Sequence, residues 1–183
     1  MPIYGGTSNL PADVNSHHQL TVDSVSRSKD NFINGESGKV WSLSFSAIDP
    51  VGAADKFFYL ENTGAEPIRI TDIRLSSTVA GIASVKKVSG TPTYVGATAV
   101  TGLSRRTGKS PVLQATVNTD TNITGLTDDG TWFLIPLDSA GKQVHLSTSS
   151  NIIIDSGGAL AIEWDTATGI LTGTVSAVEN GLI

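Results

Sequence analysis

The chain of 183 residues contains no cysteine. A disulfide framework and a thiolate metal site are therefore excluded, and the fold must rest on apolar packing and ladder hydrogen bonds. Such usage fits assembly in a reducing cytoplasm. Charge is also scarce: Asp, Glu, Lys and Arg make up 16% of the residues, against a usual share of about 25%. The net charge of −5 argues against a nucleic-acid partner, which would need clustered Lys and Arg to displace counterions. Lys86-Lys87 and Arg105-Arg106 are the only adjacent basic pairs, and each reads as an ordinary solvated patch. No apolar run approaches the ~20 residues of a membrane-spanning helix. The opening Met1-Pro2-Ile3-Tyr4-Gly5-Gly6 lacks the basic and apolar regions of a signal peptide. The expectation is a chain made in the cytoplasm, without Sec-type export and without a membrane partner.

What the sequence has in quantity is serine and threonine, 21 of each, and 19 glycines. Around them run short apolar segments of strand character. Val40-Trp41-Ser42-Leu43-Ser44-Phe45-Ser46 alternates cleanly, with Trp41, Leu43 and Phe45 on one face and serines on the other. Phe57-Phe58-Tyr59-Leu60 and Ile68 to Leu75, joined through Asn62-Thr63-Gly64, read as a hairpin in which Gly64 supplies a positive φ. The second arm changes phase at Thr71-Asp72, which a β-bulge would reconcile. Further strands are expected at Leu20 to Ser24, Ile82 to Val88, Thr93 to Val100, Val112 to Val117, Trp132 to Leu137, Val144 to Leu146, Ile152 to Ile154, Ala159 to Trp164 and Leu171 to Val178. Asp165 to Gly169 reads as a second hairpin loop, Gly102 to Gly130 as an exposed excursion, and Trp132 to Leu137 as a strand covered on both faces. Pro136 demands an edge or strand-end position. No segment supports a long amphipathic helix and no repeat of 20 to 50 residues is present. The reading is all-β: an antiparallel two-sheet sandwich, most simply a jelly roll, formed by one domain over residues 20–183. A domain of this size buries roughly 70% of the surface its unfolded chain exposes.

Residues 1–19 carry Gly, Pro, Asn and Asp without strand or helix period. They read as an N-terminal arm that orders, if at all, against a neighbouring subunit through Ile3, Tyr4, Leu10, His17 and His18.

Catalytic and metal chemistry finds little footing. Of the three histidines, His17 and His18 are adjacent and point apart in extended chain, and His145 lies between Val144 and Leu146. Asn118-Thr119-Asp120-Thr121-Asn122 resembles a calcium loop only superficially, because the sixth position is not glycine and no closing acid follows. Glu163 and Asp165 are spaced ~6–7 Å along one strand face, near the separations of glycoside hydrolases. Alternation, however, places them opposite Leu160, Ile162 and Trp164, where solvent-facing charges belong. Asp128-Asp129 is a second acidic pair. Trp41, Trp132 and Trp164 read as core residues. No metal, no cofactor and no enzymatic activity are expected.

Three stretches, Phe32-Ile33-Asn34-Gly35-Glu36-Ser37-Gly38-Lys39-Val40-Trp41, Phe57 to Ile73 with its Leu60-Glu61-Asn62-Thr63-Gly64 turn, and Ser149 to Ile154 through Gly169 to Val178, together resemble small β-rich virion proteins of tailed bacteriophages. The resemblance is to capsid decoration, or cement, proteins and similar head-associated proteins, over residues 20–179. It implies a jelly-roll or related sandwich, often a homotrimer, on the outside of the head and bridging subunits of the major capsid protein. The residues carrying it are turn and strand signatures, none of them catalytic. The competing expectations are a carbohydrate- or receptor-binding module of a phage tail, for which Tyr4, Phe32 and Tyr94 are the aromatics to inspect, and a glycan-active enzyme using Glu163 or Asp128-Asp129.

Overall fold

The computed structural model describes residues 4–5, 10–11, 38–108 and 111–179, and every regular element among them is a β-strand. Within the expected arm, β1 (Tyr4–Gly5) and β2 (Leu10–Pro11) form a small antiparallel pair. The expected strand at Leu20 to Ser24 lies outside the described residues. The remaining elements are β3 (Val40–Ile48), β4 (Asp55–Asn62), β5 (Ile68–Ser77), β6 (Gly81–Thr93), β7 (Thr98–Ala99), β8 (Leu103–Ser104), β9 (Ala115–Leu137), β10 (Val144–Ile154), β11 (Ala159–Trp164) and β12 (Leu171–Glu179). They make two five-stranded antiparallel sheets, β10-β5-β12-β3-β8 and β4-β11-β6-β9-β7. The sheets pack face to face, so the molecule is a β-sandwich.

Alternation explains the core. Leu43 and Phe45 of β3 point inward while Ser44 and Ser46 face solvent. Phe45 meets Phe57 and Phe58 of the opposite sheet at centroid distances of 5.9 and 5.4 Å. Around them close Leu60, Ile70, Ile73, Leu75, Val85, Leu160, Ile162, Trp164 and Val175. The phase change in β5 is a bulge at Thr71: Ser176 pairs with Asp72, and the next residue, Ala177, with Ile70.

Neither expected hairpin forms. β4 and β5 lie in different sheets, as do β11 and β12. The physical reason is that each pair carries apolar residues needing the same core, and crossing from sheet to sheet lets them face each other across it. The β4–β5 connection is an arch pinned by the fully buried Asn62, whose Nδ2 donates to the carbonyls of Glu66 (2.8 Å) and Ile154 (2.9 Å). Gly64 is not at positive φ. It is needed for closeness, since a Cβ there would stand 2.6 Å from Gln114 Cβ.

The expected excursion from Gly102 to Gly130 is also corrected. Residues 115–137 are one long strand, β9, in register with β4 from Ala115 to Ile123 and with β6 from Thr124 to Leu137. The Thr- and Asn-rich first half is a strand because Thr is β-branched and its neighbours supply the polar contacts. In changing partners β9 joins both sides of its own sheet, wrapping the face turned away from the main core. A second apolar cluster fills the wrap: Tyr59, Val88, Ile123, Ala159 and Ala161, with Tyr94 and Leu126 against it. Pro136 sits one residue from the end of β9, as its missing N–H requires. Trp132 to Leu137 is not covered on both faces: Ile135 and Leu137 are buried while Trp132 and Leu134 are exposed.

The change of partner depends on Gly125, at φ 77°, where a Cβ would fall 2.5 Å from the Thr91 carbonyl oxygen. Gly125→Ala should cost about 2 kcal/mol or more in urea unfolding, since strain and backbone collision act together. Gly96→Ala, at a site with no neighbour within 4 Å, should stay within about 0.5 kcal/mol. Equal effects would show that β9 does not turn on this glycine.

Candidate functional site

The wrapped face of the second sheet holds the densest constellation of charge among the described residues. β4 contributes Lys56, β6 Lys86, β11 Glu163 and β9 Asp128. Lys56 Nζ lies 2.9 Å from Asp128 and 3.3 Å from Glu163. Lys86 Nζ lies 2.7 Å from each of the same carboxylates. The result is a ring of two cations and two anions with one member from each strand. Register shifts at Val85/Lys86, Lys87/Val88 and Ile162/Glu163 bring the four side chains together.

This corrects the expectation for Glu163. Its side chain is only 12% exposed, because the face opposite Leu160, Ile162 and Trp164 is covered by β9. Small residues at Ala159 and Ala161 let that strand approach. Asp165 behaves differently: its Oδ1 accepts the Ile82 N–H at 2.8 Å on the exposed margin of the sheet.

The ring's electrostatics run against acid catalysis. Burial pushes Asp128 up, but hydrogen bonds from Lys86 and Lys56 outweigh it and hold the carboxyl below its usual range. Lys86 is raised: burial works against its charge, and the bonds to Asp128 and Glu163 overcome that penalty. A proton-donating carboxylic acid needs the opposite environment. The ring is a clamp that ties the two halves of the wrap together.

The other candidates are dispersed. His145 sits on β10 beside Asp72 of β5, whose second carboxylate oxygen takes Arg74 Nε at 2.8 Å. Asp120 accepts backbone N–H groups of Val95 (2.6 Å), Gly96 (3.0 Å) and Thr121 (2.6 Å). Although burial opposes it, these bonds hold Asp120 low, and they make it a loop anchor. Among the described residues no group of three or more His, Cys, Asp or Glu could hold a metal. Ile3, His17, His18 and Phe32 lie outside the described residues. Tyr4 and Leu10 belong to β1 and β2. Tyr94, inspected for an exposed ring, packs against the second cluster and its hydroxyl accepts from Asn118 Nδ2 at 3.2 Å.

The tryptophans divide. Trp41 and Trp164 are fully buried, whereas Trp132 is 37% exposed. It lies where β9 bulges, since Phe133 pairs with Val85 and Thr131 with Lys86. The apolar run around it conceals this in the sequence. The skipped register position is the feature that turns it outward.

No family model, curated protein or solved structure matches the chain.

Asp128 and Asp120, with depressed pKa values, contribute stability that is present above the ordinary carboxylate range and lost as pH falls through their folded values. Glu179, raised by burial that its Lys39 contacts only partly offset, acts in the opposite sense. Asp128→Asn should therefore lower the urea midpoint at about pH 7, and its difference from wild type should shrink by about pH 3. Glu163→Gln, which leaves two largely buried lysines sharing one carboxylate, should cost more, about 2–4 kcal/mol. A pH-independent Asp128→Asn effect would remove the ring from the acid response.

Proposed function

We propose that this chain is a non-enzymatic structural protein of a phage virion, a decoration protein that binds the outside of the head and stabilises it by bridging subunits of the major capsid protein. The observation that carries the reading is where the molecule leaves apolar side chains in water. Leu103 is 73% and Val112 76% exposed. They adjoin a groove lined by Val100, Gly102, Pro111, Val112 and Leu113 beside the two-residue edge strand β8. Such a rim gains from burial against another protein surface, while the charged ring is spent inside the sheet.

The strand order supports the jelly-roll form of the reading. Taken without the short strands, β10-β5-β12-β3 faces β4-β11-β6-β9, and each long strand is followed in the chain by one in the opposite sheet except β6, whose successor β9 pairs beside it. This is the double-sheet arrangement in which such folds manage their edges. A homotrimer seated at a symmetry axis would cover apolar rims on three copies at once, and attachment through several weak contacts adds apparent affinity without an active site. Residues 1–19, with Ile3, Tyr4, Leu10, His17 and His18, are the arm assigned to lattice contact.

Light scattering should give a discrete trimer, and the protein should co-sediment with undecorated capsids. Deleting residues 1–19 should leave far-UV circular dichroism and the urea midpoint close to wild type while occupancy on capsids falls about tenfold or more. Full occupancy by the truncated chain would sink the role of the arm. A monomer that never co-sediments would sink the capsid reading.

A further inference from the structure

At the end of the sandwich away from the Gly81 margin, the turn from β10 to β11 forms the floor of an open cleft of about 390 Å³. Trp132 of β9, Lys87 of β6 and Ile153 of β10 stand around it, with Asp155 and Ser156 at the turn. That volume falls within the roughly 300–1,000 Å³ of small-ligand sites. Trp132 is the partly exposed tryptophan and Ile153 is 47% exposed, so the cleft has an aromatic surface in water. Lys87, Asp155 and Ser156 are exposed. Among the described residues neither the Lys87 ammonium nor the Asp155 carboxylate has an ion-pair partner, in contrast to Lys86 one residue away.

The floor is rigid. Gly157 N donates to the Asn62 carbonyl at 2.8 Å, Asn62 N to the Gly158 carbonyl at 3.0 Å, and Gly158 N to the Asp155 carbonyl at 2.8 Å. The buried Asn62 side chain holds the Ile154 carbonyl at 2.9 Å. The turn is thus set in place by an arch on the neighbouring strand before any ligand arrives, which lowers the ordering cost of binding.

We propose that this cleft is a saccharide-binding site, with a pyranose ring stacked on Trp132 and its hydroxyl groups bound by Asp155, Ser156 and Lys87. The chemistry selects the class. An indole face takes the apolar C–H face of a sugar ring. A carboxylate accepts, an ammonium donates, and a hydroxyl does both, which matches a ligand whose vicinal hydroxyls are donors and acceptors together. Lys87 and Asp155 cancel in charge, so the site has no preference for a strongly ionic ligand, and one aromatic ring with one isoleucine is too little apolar surface for a lipid or an apolar peptide. The cleft is separate from the groove at Val112, and the inference does not rest on capsid attachment.

Trp41 and Trp164 are fully buried, so a change in tryptophan emission on titration reports on Trp132. The full chain should be titrated with cellotetraose, maltotetraose and chitotetraose up to about 10 mM, with half-saturation of at least one of them on the order of 1 mM or below. Calorimetry on the same samples gives binding without reliance on the fluorophore. Trp132→Ala should abolish the emission change and weaken calorimetric binding by about tenfold or more. Asp155→Asn should weaken it several-fold while leaving the emission spectrum of the free protein unchanged. Unchanged circular dichroism in both variants separates loss of the site from loss of the fold. The proposal is overturned if none of the three oligosaccharides binds, if Trp132→Ala binds as wild type does, or if acrylamide fails to quench wild-type emission because another copy covers Trp132.

Discussion

The pairing of one strand with two partners governs this structure. β9 runs antiparallel to β4 over its first half and to β6 over its second. Because β11 lies between β4 and β6, a strand that reaches both must pass around the outer face of β11. Closing the sheet in this way satisfies backbone groups that would otherwise form open edges. It also converts a face that would be solvated in an ordinary antiparallel sandwich into a second interior. The small side chains of Ala159 and Ala161, the bulges beside Lys86 and Glu163, and the glycines at the bend all follow from that one path.

The charged ring belongs to the same constraint. Where the wrapped space is apolar, Tyr59, Val88 and Ile123 fill it. Farther along, the strands diverge and long side chains with charged ends take over, each lysine lying between two carboxylates. Withdrawing Lys56, Lys86 and Glu163 from water, with Asp128 still 38% exposed at the ring's edge, carries a desolvation penalty that mutual pairing compensates only if every partner is present. The ring is therefore better understood as a device that fixes the register of four strands than as a source of net stability. The Lys56 and Lys86 bonds that complete the ring also hold the Asp128 carboxyl below its usual range, the opposite of what a proton donor needs.

The elements of the fold were largely legible in the sequence, and their pairing was not. The alternation of Trp41, Leu43 and Phe45 against serines located β3, and the phase change at Thr71-Asp72 located a real bulge. Both are local signals, written in the residues of a single strand. Turn chemistry at Asn62-Thr63-Gly64 and at Asp165 to Gly169 reports that the chain reverses, not whether it returns to the same sheet. The buried Asn62 decides that question through a carbonyl 92 residues away. β9 is hard to read for a related reason: its run from Asn118 to Gly130 is mostly polar, and the ladders that make it a strand are with β4 and β6. Alternation correctly puts Glu163 on the face opposite Leu160 and Ile162, but that face is covered by another strand. The apolar neighbours of Trp132 point to the core, and a skipped register position turns it out.

These pairings also set how the molecule holds its shape. Every long strand except β6, which is followed by its own partner β9, is followed in the chain by one in the opposite sheet, so neither sheet can be completed from contiguous sequence. Non-local pairing of this sort requires loop closure before contacts repay it, and it makes folding slow. The same property makes local opening costly, because releasing β9 would break its ladders with β4 and β6, empty the second cluster and separate the charged ring together. Resistance to opening is what the proposed display on a particle would need, and with no cysteine in the chain a disulfide cannot supply it. The interior is thereby committed to rigidity. The two proposed contact sites, the groove at Val112 and the cleft at Trp132, would then rest on a frame that does not have to move in order to bind.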